Sequence, residues 1–129
     1  MEKILIAEDE PICRTILEAL LKTEFEVTAC ADGDAVIAAL KGQPNDFKCL
    51  VLDMRMPKTD GFGVLDFMRE NGLLERIPVI ALTVFNEEEN HLKCCRAGVI
   101  DLVMKPCNKE ILLRKVRKIV GIEGAILIR

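Results

Sequence analysis

Five short runs of mostly apolar residues recur along this chain at intervals of roughly 20–30 residues: Ile4-Leu5-Ile6-Ala7, Phe25 to Cys30, Cys49-Leu50-Val51-Leu52, Val79-Ile80-Ala81-Leu82 and Leu102-Val103-Met104. An unbroken apolar run is what a strand buried on both faces requires, and each interval between runs holds residues at helical spacing. Strands alternating with helices form a parallel sheet covered on both sides. The first strand is expected over Lys3 to Ala7, followed by a helix from Pro11 with Cys13, Ile16, Leu17 and Leu20 inward. Asp32-Gly33-Asp34 caps a second helix with Val36, Ala39 and Leu40 inward, and Gly42-Gln43-Pro44-Asn45 ends it. The third strand, Cys49 to Asp53, leads through a long loop to a helix over Phe62 to Glu70 that presents Val64, Leu65 and Met68 and stops at Asn71-Gly72. Strand four is Val79 to Leu82. Asn86 caps a fourth helix whose first turn, Glu87-Glu88-Glu89, suits the positive end of the helix dipole, and Gly98 ends it. Strand five is Leu102 to Met104. Asn108 starts the last helix, with Leu112, Val116 and Ile119 inward.

At 129 residues the chain suits one domain, over 1–120, with 121–129 a C-terminal tail or the start of a linker. A chain of this length built from five strand and helix units fits the flavodoxin-like (βα)5 doubly wound α/β sandwich, a parallel five-stranded sheet of order 2-1-3-4-5. Eighteen basic residues against 21 acidic ones give a net charge of −3, which provides no field for nucleic acid or an anionic membrane. The six cysteines form no Cys-x-x-Cys pair, so a reducing cytoplasm is the expected home. Without a charged n-region or an apolar run near ~20 residues, neither secretion nor membrane insertion is expected.

The chemistry sits where the runs end. Glu8-Asp9 follows the first, Asp53 closes the third, Thr83 follows the fourth and Lys105 the fifth. In an open parallel sheet these ends share one edge, and the strand order brings strands 1 and 3 together, which gathers Glu8, Asp9 and Asp53. Three carboxylates in one pocket repel each other unless a cation sits among them, and an open site of oxygen donors suits Mg²⁺. Lys105 adds a point charge that can reach a carboxylate or phosphate, and Thr83 adds a hydroxyl donor for a phosphoryl oxygen.

With these residues in place, essentially the whole chain resembles a receiver domain of a two-component response regulator. That family carries an acidic pair after strand 1, an Asp ending strand 3, a Ser/Thr ending strand 4 and a Lys-Pro after strand 5, matched here by Glu8-Asp9, Asp53, Thr83 and Lys105-Pro106. The resemblance implies that Asp53 accepts a phosphoryl group from the phosphohistidine of a sensor kinase or phosphotransfer protein, or from a small acyl phosphate. It implies that Asp9 binds Mg²⁺ directly, Glu8 mainly through water, and the Arg55 carbonyl completes the protein ligands. It also implies a cis Lys105-Pro106 bond and a downstream effector protein or domain as recipient of the signal. Such a domain is a switch that assists its own phosphorylation and dephosphorylation, not an enzyme.

Several residues depart from that pattern. Leu102 stands where the family usually has an aromatic, and Val84-Phe85 follow Thr83 where a small residue is usual, so Phe85 is a candidate substitute for the missing aromatic and access for small donors is expected to be restricted. The Arg55 side chain is expected to lie over the phosphoryl group; Arg55→Ala should then change the dephosphorylation rate. A phosphatase of the haloacid dehalogenase type is the enzyme alternative, but Arg55 lies where such enzymes carry a second carboxylate. The other alternative is a pseudo-receiver that only binds partners. His91, the one histidine, is read as a surface residue, and Cys95, with Leu92 three positions before it, as core. The apolar Ile126-Leu127-Ile128 packs on the domain, pairs with another chain as in a homodimer, or begins a linker.

Overall fold

The computed structural model describes residues 1–43, 46–84 and 88–121. The expected caps and turns at Pro44-Asn45 and Asn86, together with Phe85, Glu87 and the tail beyond Gly121, lie outside the described residues. Strands and helices alternate as β1 (Lys3–Ala7), α1 (Pro11–Leu21), β2 (Glu26–Cys30), α2 (Gly33–Gly42), β3 (Phe47–Asp53), α3 (Gly61–Glu70), β4 (Val79–Val84), α4 (Glu88–Arg96), β5 (Asp101–Lys105) and α5 (Lys109–Val120). All four pairings are parallel and the order is β2-β1-β3-β4-β5, the flavodoxin-like doubly wound sheet expected.

Alternate residues of each strand point to opposite faces, so the unbroken apolar runs feed two cores. Leu5, Leu50, Leu52, Val79 and Ala81 pack with Val36 and Leu40 of α2 and Val64, Leu65 and Met68 of α3. Ile4, Ile6, Cys49, Val51 and Ile80 pack with Leu17 and Leu21 of α1 and Leu112 and Val116 of α5. Burying both faces of β1, β3 and β4 is what leaves their polar residues only at the strand ends.

Caps fall largely where the side chains dictate. Asp32, Asp60 and Asn108 each accept a hydrogen bond from a backbone N–H in the first turn of α2, α3 and α5. Gly72, Gly98 and Gly121 take positive φ at the helix ends. At α1 the capping group is Glu10, whose carboxylate accepts from the amides of Ile12 and Cys13.

Two helices bury less or other residues than expected: α1 keeps its expected face, with Leu17 buried and Leu20 packed on the core, and α4 is rotated. In α1, Leu17 and Leu21 are buried, while Cys13 is exposed and Ile16 is 44% exposed. Only the second half of α1 lies on the sheet; its first turns line a cavity of about 250 Å³ closed by Lys105, Pro106 and Cys107. In α4, Cys94 is buried, whereas Leu92 and Cys95 are exposed. One residue is 100° of helix, and α4 is so polar that its sequence carries little phase information. His91 is half-buried, with Nε2 shielded and without a hydrogen-bond partner among the described residues, so it is not the solvated residue expected. The Cys30 and Cys49 thiols are pushed up by burial to about 11 and about 12, as befits cysteines that pack as small hydrophobes. Among the described residues no helix is long and apolar enough to cross a membrane.

Gly33, the first residue of α2, lies under the loop that follows β3. A Cβ there would stand 1.8 Å from the Thr59 carbonyl oxygen, a backbone atom that cannot turn aside. Gly33→Ala is therefore expected to cost about 2–3 kcal/mol through forced separation of loop and helix, read as a lower urea midpoint with unchanged slope.

Candidate functional site

The C-terminal ends of β1, β3, β4 and β5 meet at one edge of the sheet, because parallel strands all end on the same side. β1 and β3 are neighbours, so Glu8 and Asp9 just beyond β1 come against Asp53, the last residue of β3. One carboxylate oxygen from each of these three residues lies within 4.8 Å of the others. Glu8 and Asp53 are 1% and 3% exposed, whereas Asp9 is open to solvent. The backbone of the Glu8-Asp9 turn is held by Arg14, whose guanidinium donates to the Glu8 carbonyl at 3.0 Å and the Asp9 carbonyl at 3.3 Å. No sequence signal marked Arg14; its role depends on the course of a turn.

Lys105, at the end of β5, places Nζ 2.8 Å from Glu8 Oε1 and 2.9 Å from Asp53 Oδ2. The Lys105-Pro106 bond is cis, as expected. Asp53 Oδ1 accepts from the Arg55 amide at 3.0 Å, and Glu8 Oε2 from the Glu10 amide at 3.2 Å. Every oxygen of the two buried carboxylates thus has a donor within reach, and one ammonium serves two carboxylates. Burial pushes the Asp53 carboxyl up to about 7, the hydrogen bond from Lys105 opposes the rise, and the neighbouring Glu8 adds to it. Burial also works against the charge on Lys105, but Glu8 and Asp53 outweigh it and raise the ammonium above its ordinary value. An ion pair alone would lower a carboxylate, so the upward direction at Asp53 reflects chiefly its removal from water, with Glu8 adding to it.

Thr83, the penultimate residue of β4, is 6% exposed and lines a cleft of about 220 Å³ with Asp53, Arg55, Val84 and Lys93. Its hydroxyl donates to the Val84 carbonyl at 3.2 Å, not to Asp53. Arg55 is exposed and reaches the same cleft, and Val84, at 43% exposure, stands at its mouth. Lys93 of α4 was not anticipated; its Nζ lies 4.6 Å from the centroid of the Phe62 ring at the start of α3. Leu102, in the position usually aromatic, is half-buried on β5 beside Ala81. The structure therefore gathers Glu8, Asp9, Asp53, Arg55, Thr83 and Lys105 at one edge, with Lys105 between the two buried carboxylates and Thr83 turned aside.

The chain is similar to known proteins along most of its length. The chain is 29% identical over 123 residues to regulatory protein VanRB of Enterococcus faecalis, covering 95% of this chain and 54% of that protein. It is 35% identical over 114 residues to transcriptional regulatory protein ResD of Bacillus subtilis, covering 87% and 45%. The chain thus spans about half the length of these relatives. Among solved structures, the receiver domain of a sensor histidine kinase from Pseudomonas aeruginosa, with a magnesium ion coordinated in its active site cleft, superposes with a TM-score of 0.83 at 30% identity over 93% of this chain and 98% of that one. A Francisella response regulator receiver domain shares the fold with a TM-score of 0.84 at 24% identity over 94% and 98%. The family model of the response regulator receiver domain matches residues 4–117, from within β1 into α5. A match of that extent, on a sheet of this order, means that the chain belongs to the response regulator receiver domain family of two-component systems.

Proposed function

We propose that Asp53 is a phosphoacceptor whose modification, in the presence of Mg²⁺, switches the surface this domain offers to a partner. The observation that carries this reading is the Asp53 carboxylate itself: buried, oriented by the Arg55 amide, contacted by Lys105 and within 4.8 Å of two further carboxylates. Glu8, Asp9 and Asp53 offer only hard oxygen donors on an edge open at Asp9, a set that fits Mg²⁺, and the Arg55 carbonyl is a candidate fourth. When bound there, the metal neutralises carboxylate charge and withdraws charge from phosphoryl oxygens. The magnesium in the cleft of the Pseudomonas relative supports the choice of metal.

The chain's own residues then do little covalent work, as phosphoryl transfer requires. An oxygen of Asp53 attacks phosphorus, the bond to the donor nitrogen of phosphohistidine breaks, and the nitrogen leaves with its electron pair. Lys105 is placed to follow the charge from carboxylate to phosphoryl oxygen. Thr83 needs only to rotate from the Val84 carbonyl to donate to a phosphoryl oxygen, which draws the end of β4 with it. The upstream partner is a sensor histidine kinase or phosphotransfer protein, and the downstream one an effector protein or domain; direct contact with nucleic acid is no part of the reading. The domain acts as a switch and not as a turnover enzyme, since Arg55 stands where a phosphatase of the haloacid dehalogenase type needs its acid/base carboxylate.

The test is intact mass after incubation with acetyl phosphate and Mg²⁺. One phosphoryl addition is expected, lost with EDTA and in Asp53→Asn. Absence of any addition on a folded protein, with both acetyl phosphate and a phosphorylated kinase as donors, overturns the reading.

A further inference from the structure

The loop between β3 and α3 begins at Asp53, and its conformation is strained. Lys58 has φ of +66°, the only non-glycine residue with positive φ among the described residues. A side chain in that region disfavours the backbone unless the surroundings hold it, and such strain gathers where a structure over-determines a site. The holding comes from the first turn of α2, some 25 residues earlier. Thr59 Oγ1 donates to Asp34 Oδ1 at 2.5 Å, and Lys58 Nζ lies 3.4 Å from Asp32 Oδ2. Gly33, lacking a side chain, lets the Thr59 backbone settle directly on the helix start. Downstream, the Gly61 amide donates to the Met54 carbonyl at 3.2 Å and closes the loop on itself. Three residues upstream of Lys58 is the Arg55 amide that fixes Asp53 Oδ1.

We propose that Asp34 is a positioning residue for Asp53: by holding the Thr59 hydroxyl, it keeps the strained loop in the conformation in which the Arg55 amide orients the Asp53 carboxylate. The inference rests on the phosphoacceptor reading for its consequence, metal and phosphoryl chemistry at Asp53, but the hold itself is a property of the metal-free protein. Asp32 is the less informative partner, because its carboxylate also accepts from the Ala35 amide as the cap of α2. Lys58 is mostly exposed, so its ion pair with Asp32 adds little. The Thr59–Asp34 hydrogen bond is also exposed but short and directional, and it carries the hold.

The experiment uses the full chain with Thr59→Val, Asp34→Ala and Asp34→Asn, and reads two quantities by NMR. The first is the exchange rate of the Arg55 amide without metal, and the second is the Mg²⁺ dissociation constant from titration. Thr59→Val keeps the shape of the side chain and removes only the donor. It and Asp34→Ala are expected to speed Arg55 exchange and to raise the Mg²⁺ dissociation constant, each about fivefold, the size of one net hydrogen bond. Asp34→Asn retains an acceptor for Thr59 and is expected to behave as the unmodified protein. Arg55 exchange unchanged in Thr59→Val and Asp34→Ala overturns the proposal, as does an Asp34→Asn variant as impaired as Asp34→Ala, which would point to the charge at the helix start instead. If the unmodified protein fails to bind Mg²⁺, the phosphoacceptor reading falls, and the exchange rates alone still decide the hold.

Discussion

Lys105→Met is expected to destabilise the metal-free protein by about 3 kcal/mol at pH 8, as breaking a buried ion pair on one side does. Lys105 bridges Glu8 and Asp53 at 2.8 and 2.9 Å, and both carboxylates are almost wholly removed from water. Removing the ammonium leaves two buried negative charges facing each other, which the protein can relieve only by binding a proton. The deficit should therefore shrink as pH falls and Asp53 takes up that proton, its carboxyl rising further above the already raised value of about 7. Lys105 itself does not titrate in this window, since its ammonium is raised above 10.5. Urea midpoints of the variant and the unmodified chain at pH 5 and pH 8 measure the effect, and a deficit independent of pH would mean that lost packing, not charge, accounts for it. On the proposed function, added Mg²⁺ should restore part of the loss, because a divalent ion would take the place of the missing cation.

The second large effect has the opposite sign. Asp53→Asn is expected to stabilise the metal-free protein by roughly 2–4 kcal/mol above pH 7 and by little below pH 4. The folded protein binds the Asp53 proton more tightly than the unfolded chain, raising this carboxyl from 3.8 to about 7. Its favourable contribution is thus fully present below about 3.8 and is lost as pH rises through about 7. An amide cannot ionise, so the variant escapes that loss. The lower end of the range applies because Lys105 loses one of its two partners in the variant. Thermal unfolding from pH 4 to pH 9 without divalent ions reads the difference, and a gap that narrows with rising pH would show that Asp53 is ionised and satisfied at neutral pH. On the proposed function, a site that weakens its own fold until a cation or phosphoryl group arrives would have free energy available for switching.

Much of this was legible in residue order. Ile4 to Ala7 and Cys49 to Leu52 announce strands because nothing polar interrupts them, and Asp32 and Asn108 announce helix starts because a side-chain oxygen next to free amides is a local interaction. Asp60 and Glu10 passed unnoticed as caps, although an acid directly before Gly61 and Pro11 is a signal of that kind. The exposure of the first turns of α1 and the phase of α4 are not legible for a different reason. Cys13 and Ile16 are apolar at helical spacing, yet the first turns of α1 overhang a cavity, and no local pattern records where a helix leaves the sheet.

By itself, then, the sequence determined the five strands, their alternation with helices and the residue at each strand end, because short-range sterics, hydrogen bonding and hydrophobic period act within a few positions along the chain. Only the tertiary structure decided that Lys105 stands between Glu8 and Asp53, that the Thr83 hydroxyl turns to Val84, that Asp53 holds its proton to about 7, and that Asp34 grips Thr59. Those outcomes depend on desolvation and on distances of a few ångströms between groups mostly 25 to 97 positions apart in the chain, and neither quantity exists until the sheet has assembled.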